Sequence, residues 1–112
     1  MEEKRMRVAF LSGPYRAGNG RTVRYNIRAA EEALIRWMRK GFAVICPHKN
    51  SAFLDGELPD EVFLEADLEM IRRLIPGTDF LVLLKGWEHS AGSRSEIQLA
   101  DALGIEVVSD EG

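Results

Sequence analysis

Glu96, in the segment Gly86–Ala100 (GWEHSAGSRSEIQLA), is the side chain whose neighbours best equip it for chemistry. The segment reads as a loop running into a helix. Glu96 is expected in that helix's first turn, on the same side as Ala100 and Leu103. A carboxylate there feels the positive helix end, which holds it ionised and usable as a nucleophile. The same letters admit a plainer role. Ser93-Arg94-Ser95-Glu96 is also a capping box, in which the glutamate returns a hydrogen bond to the cap. Spacing leaves both readings open.

A second segment, Ser12–Thr22 (SGPYRAGNGRT), has the composition of an anion loop. Gly13, Gly18 and Gly20 permit close backbone approach, which suits a loop that wraps a phosphate. From Gly13 to Arg28 there are four arginines (Arg16, Arg21, Arg24 and Arg28) and no acid. An anion at the start of the following helix would meet both its dipole and guanidinium donors. Two known phosphate loops do not fit. Asn19 and Gly20 stand where a Walker A loop needs Lys and Ser/Thr, and Val23 stands where a dinucleotide loop needs its third Gly. Arg24 and Arg28 read as a solvated helix face, whereas Arg16, inside the loop, reads as a ligand contact. His48 is placed to face the same pocket, although a lone histidine is more often structural. Cys46 reads as core.

Positioning these segments requires a frame, and the apolar pattern supplies one. Arg7–Ser12, Phe42–Cys46, Asp79–Leu84 and Ile105–Val108 are short, nearly continuous apolar runs, the pattern of strands covered on both faces. Three stretches of helical period separate them. Val23, Ile27, Ala30, Leu34 and Trp37 mark the first, ended by Gly41. Phe63, Ala66, Met70 and Leu74 mark the second, stopped by Pro76 and Gly77; Glu96, Ala100 and Leu103 mark the third, closed by Gly104. Strand-helix alternation predicts an α/β fold, a flavodoxin-like or Rossmann-like three-layer sandwich on a parallel sheet of four to five strands, order 2-1-3-4. In such sheets ligands bind beyond the carboxyl ends of the strands. That geometry nominates three loops: Gly13 to Thr22, Pro47 to Asp60, and Lys85 to Gly92.

These blocks resemble the nucleoside 2-deoxyribosyltransferase superfamily, which includes deoxynucleoside 5′-monophosphate N-glycosidases and many short, poorly characterised relatives. The resemblance runs from Val8 to Val108. It rests on LSGPYR after strand one, Cys46-Pro47-His48 after strand two, Asp67 within EADLEMI, and DFLVLLKGWEHSAGSRSEIQLADALGI. The last block carries Ser90, Gly92 and Glu96 in the family's S-x-G-x-x-x-E arrangement and is the most specific. What it implies is cleavage or transfer at the N-glycosidic bond of a nucleoside or (deoxy)nucleoside 5′-monophosphate, with Glu96 attacking the anomeric carbon to give a glycosyl-enzyme. It implies that Asp67 lies near the leaving base and assists proton transfer; from the residues alone, Asp67 is equally a solvated position on a charged helix. Ser90 and Gly92 would offer a hydroxyl and an N–H to a 5′-phosphate or 5′-hydroxyl, or else simply form a helix N-terminus. Tyr15 would orient the nucleophile or cover the sugar, its alternative being an exposed loop aromatic. Trp87 would stack on base or ribose, or pack an interface. Ser12, Gly13, Pro14, Arg16 and His48 complete the expected substrate-binding set. By the same resemblance a homo-oligomer, dimer or larger, is expected. The arginines of the first loop tilt the expectation towards a phosphorylated substrate and hydrolysis. A non-catalytic nucleotide-sensing domain of the same fold is the alternative.

Bulk composition narrows the partners. At 112 residues the chain is sized for a single domain, residues 1–112. Its 15 basic against 18 acidic residues leave a net charge of −3, so no overall field favours a nucleic-acid polymer. Cys46 is the only cysteine and cannot close an intrachain disulfide, which fits a reducing compartment. The charged start MEEKRMR lacks a signal-peptide pattern and no long apolar run follows, so a cytoplasmic protein without a membrane span is expected. No cofactor is expected. Nor is a metal: His48 and His89 lack ligand-type spacing.

Overall fold

Strand β1 (Val8–Ser12) lies inside a four-stranded parallel sheet of order β2-β1-β3-β4, with β2 (Ala43–Ile45) and β4 (Glu106–Ser109) at its edges and β3 (Phe80–Leu83) between β1 and β4. The computed structural model describes residues 5–15 and 22–110. Phe10 pairs with Ile45 on one side and Leu81 on the other; Leu81 in turn pairs with Val107. The parallel arrangement and strand order agree with the sequence reading. The helices are α1 (Val23–Arg39), the single turn α2 (Pro47–Asn50), α3 (Asp60–Arg72) and α4 (Ala91–Leu103), with a 3-10 turn at Trp87–His89.

Alternation along the buried strands divides the core in two. Ala9 and Leu11 of β1 and Val82 of β3 meet Ala30, Ala33 and Trp37 of α1, whereas Phe10, Leu81 and Leu83 face Ile71 of α3 and Ala100 of α4. Both strands are therefore apolar on both faces, as strands between helical layers must be. Cys46 lies within the first cluster, as its sequence setting implied.

Several boundaries differ from the sequence reading. Pro47 terminates the second strand early, because its fixed φ suits the first position of a helix and it starts α2 with Cys46 as the N-cap. Helix α3 runs earlier than its apolar period suggests, opening on Asp60 and Glu61, whose charges complement the helix N-terminus. Gly104 does close α4, in left-handed conformation at φ 75°, and the Ile105 N–H returns to the Ala100 carbonyl at 2.9 Å.

Two acids fasten the ends of the sheet. The Asp79 carboxylate accepts from the Val8 N–H at 2.8 Å and the Ile75 N–H at 2.7 Å, joining the start of β1 to the turn before β3. Asp79→Ala would strand both donors, a loss of about 2 kcal/mol; a urea denaturation curve measures it as a lower midpoint with unchanged slope. Asp110 accepts from Arg36 Nη2 at 2.5 Å and Trp37 Nε1 at 3.1 Å, clasping the chain beyond β4 against α1. Among the described residues no helix is long and apolar enough to cross a membrane.

Candidate active site

A cavity of about 540 Å³ opens beyond the carboxyl ends of β1 and β2. It is bounded by Gly13-Pro14-Tyr15 after β1, by Pro47, His48 and Ser51 after β2, by one side of α3 and by the start of α4. Its size suits a small organic ligand, and its place in the sheet is where ligands enter parallel α/β folds. All three nominated loops contribute, but unequally. The third does so through His89, Ser90, Ala91 and Gly92.

Glu96 lines this cavity, though its helical setting differs from the expectation. Helix α4 starts at Ala91, with the Ser90 hydroxyl as N-cap accepting from the Ser93 N–H at 3.1 Å. The Ser93–Glu96 capping box therefore does not form. Glu96 lies in the second turn, where the helix field has largely faded. Burial dominates instead. With 6% of its surface exposed, the Glu96 carboxyl is pushed up to about 7, first by loss of water and further by the charge of Asp67. A hydrogen bond from the Ser12 hydroxyl to Glu96 Oε1, 2.5 Å long, opposes that shift. The expectation of a carboxylate held ionised by the helix is thus corrected. Near neutral pH this one exchanges its proton. Ser12 is itself buried at the end of β1, so the strand fixes one oxygen of the glutamate.

Asp67 projects from α3 into the same cavity and is pushed up to about 6 by burial. Asp60, Glu61, Leu64 and Asp67 line it together, at spacings of one, four and seven residues that put them on one helical face. The sequence reading singled out only Asp67 from this face.

His48 is 4% exposed. Its Nε2–H donates to the Pro14 carbonyl at 2.8 Å, which fixes the tautomer because a carbonyl can only accept. Burial holds the imidazole below its ordinary pKa, against the opposing pull of that carbonyl, so it is neutral. Its Nδ1 lone pair is buried without a partner. Tyr15 sits beside it, ring centroids 6.1 Å apart, with its hydroxyl donating to Asp55 at 3.0 Å and accepting from the Phe53 N–H at 2.6 Å. These bonds make Tyr15 a staple between the first two loops. Phe53 pays a left-handed backbone, φ 61°, to reach it.

Gly13 is required by packing. A Cβ there would lie 2.7 Å from Leu84 Cβ, inside van der Waals contact, so the loop after β1 can turn only with no side chain at this position. Gly13→Ala is expected to displace Pro14 from His48 and destabilise the fold by about 1–2 kcal/mol. Denaturation gives the loss, and the His48 imidazole NMR signals report the broken contact.

Ser90 and Gly92 line the cavity, as does Ser93, which the sequence reading passed over as a capping residue. Ser93 is 2% exposed and its hydroxyl has no partner. Its place one residue after Gly92 and three before Glu96 is the signal that would have found it. Trp87 lies elsewhere: it packs on the α3–α4 side of the core and borders a separate hollow with Lys85, Arg36 and Asp110. Arg16 lies outside the described residues. Among the described residues, no cluster of three or more His, Cys, Asp or Glu is arranged to hold a metal ion.

Residues 7–109 match a family described as Domain of unknown function (DUF4406). The chain belongs to this family. No curated protein matches the chain. The DUF4406 match encloses all four strands and every residue that lines the cavity, so the constellation of Ser12, His48, Asp67, Ser93 and Glu96 falls wholly inside the DUF4406 domain.

Proposed function

We propose that this domain cleaves or transfers at the N-glycosidic bond of a nucleoside or nucleoside 5′-monophosphate, through a glycosyl-enzyme on Glu96. The observation that carries this reading is Glu96 itself, buried in a ligand-sized cavity, held by Ser12 and exchanging its proton near neutrality. A carboxyl kept from water costs stability, and perturbed groups in clefts are where catalytic work is found. The S-x-G-x-x-x-E resemblance to the nucleoside 2-deoxyribosyltransferase superfamily points the same way.

In this mechanism, ionised Glu96 attacks C1′ as the C1′–N bond opens, and Ser12 orients its Oε1. Asp67, when protonated, delivers a proton to a departing neutral base. Water then hydrolyses the ester, or a second base accepts the sugar. Ser90, Gly92 and Ser93 offer polar groups at the α4 start to the sugar's 5′ side, and Gly13, Pro14 and His48 close the opposite wall. The reading carries with it a cytoplasmic, homo-oligomeric enzyme acting on small molecules without a cofactor.

Incubation with a panel of deoxynucleosides and their 5′-monophosphates tests it directly. Free base should appear by chromatography, and mass spectrometry after rapid acid quench should find one sugar on the peptide containing Glu96. Absence of free base across the panel would sink the proposal. Binding without turnover, the alternative, would instead raise the melting temperature across the panel and release no base.

A further inference from the structure

We infer that the α3 side of the cavity takes a positively charged base, so that the preferred substrate is a nucleoside whose base is joined to the sugar as an N-substituted heteroaromatic cation. This rests on the glycosidic reading above and names the substrate class of that same site.

Among the described residues the charge of the wall is one-sided. Asp55, Glu61, Asp67 and Glu96 line the cavity, and none of the described lining residues is Lys or Arg. His48 adds no charge, since burial keeps it neutral. The imbalance belongs to the α3 side: residues 50–71 contain seven acids, from Asp55 to Glu69, and no Lys, Arg or His. Glu69, outside the cavity, pairs with Arg72 and Arg73. No described ion pair involves Asp67 or Glu96. The charge of Asp67 raises the cost of ionising Glu96, and a cation beside the two carboxyls favours the ionised form of both.

Two further atoms mark the cavity as built for an occupant. His48 Nδ1 and Ser93 Oγ belong to residues more than nine-tenths buried that line it, and neither atom has a partner. Buried polar atoms are seldom left so. Nδ1 can only accept, so it suits a ligand hydroxyl or amide N–H.

The chemistry agrees with the charge. A neutral base must gain a proton as its bond to C1′ breaks. A cationic base needs none. The electron pair of the C1′–N bond passes to the ring nitrogen and cancels its charge, while a Glu96 oxygen forms the new bond to C1′. Water then attacks C1′, the Glu96 carboxylate departs, and one proton goes to solvent. Free sugar and neutral base are the products.

The test separates binding from turnover. 1-Methyl-3-carbamoylpyridinium has the cationic ring and no glycosidic bond; 3-carbamoylpyridine is its neutral parent. Titrated into the wild-type protein at pH 8, the cation should bind at least about tenfold more tightly. Asp67→Asn should erase the difference and Asp67→Glu restore it, with melting curves confirming that both variants fold. In parallel, 1-(2-deoxyribosyl)-3-carbamoylpyridinium should release its base at least about tenfold faster, by kcat/KM, than neutral-base deoxynucleosides. Equal or weaker binding of the cation overturns the inference, even if neutral nucleosides are cleaved. Tighter binding of the cation with no cleavage of any nucleoside supports the charge selection and overturns the glycosidic reading.

Discussion

Glu96→Gln should release free base at least about 10³-fold more slowly than the wild-type protein, with the fall in kcat rather than in KM. An amide keeps the shape, the burial and the hydrogen bond from Ser12, but it has no anionic oxygen to form the ester. For a neutral-base nucleoside the ground-state contacts survive, so substrate affinity should change little, which is the signature of an interaction made only in the transition state. A thousandfold loss corresponds to about 4 kcal/mol of lost transition-state stabilisation. Equal losses in binding and rate would instead mean that Glu96 holds substrate and does not react with it.

The pH profile of the wild-type protein carries the same argument. Attack needs Glu96 ionised, and its carboxyl is held at about 7; proton delivery needs Asp67 protonated, and its carboxyl is held at about 6. For a neutral base the two demands conflict. Glu96 takes up its proton as pH falls below 7, and Asp67 loses its proton as pH rises above 6. The value of kcat/KM should therefore peak between pH 6 and 7 and fall about tenfold per pH unit beyond either value. For a base that is cationic while attached and departs neutral, only the first demand remains. Its profile should rise through pH 7 to a plateau.

The frame of this domain was readable because its cause is local. Phe10, Leu81 and their neighbours form unbroken apolar runs, and such runs between helical periods leave little choice but a parallel sheet. The cavity's position followed from that sheet. The electrostatic state of Glu96 did not. A helix start has a visible sequence signature, but which of Ser90 and Ser93 caps α4 depends on the 3-10 turn at Trp87–His89, which delivers Ser90 to the helix end. Once Ser90 is the cap, Glu96 moves one turn inward and burial replaces the helix field as the dominant effect. Trp87 was misplaced for the same reason, since the turn directs it onto the core. The bonds of Tyr15 to Asp55 and Phe53 join residues some forty apart, and no spacing rule reports them.

The second large effect expected of Glu96→Gln is a gain in stability at alkaline pH. The folded-state pKa of Glu96 is raised to about 7 from an ordinary value of 4.5, chiefly by burial. A carboxyl raised in this way stabilises the fold fully below pH 4.5, while it is protonated in both states, and that contribution is lost as pH rises through 7. By pH 8 the loss is about 3 kcal/mol, the shift converted at 1.36 kcal/mol per unit. Glutamine never ionises, so wild type and variant should be nearly equal in stability at pH 4, and the variant should melt on the order of 10 °C higher at pH 8. Asp67, also raised by burial, makes the wild type still more sensitive over the same window. Equal stabilities at both pH values would mean that Glu96 ionises without penalty and that the Ser12 bond, not burial, sets its charge. A gain at pH 8 together with lost turnover would show that the fold retains, at the centre of its cavity, a carboxylate that makes it less stable, as expected where reactivity and stability compete for one side chain.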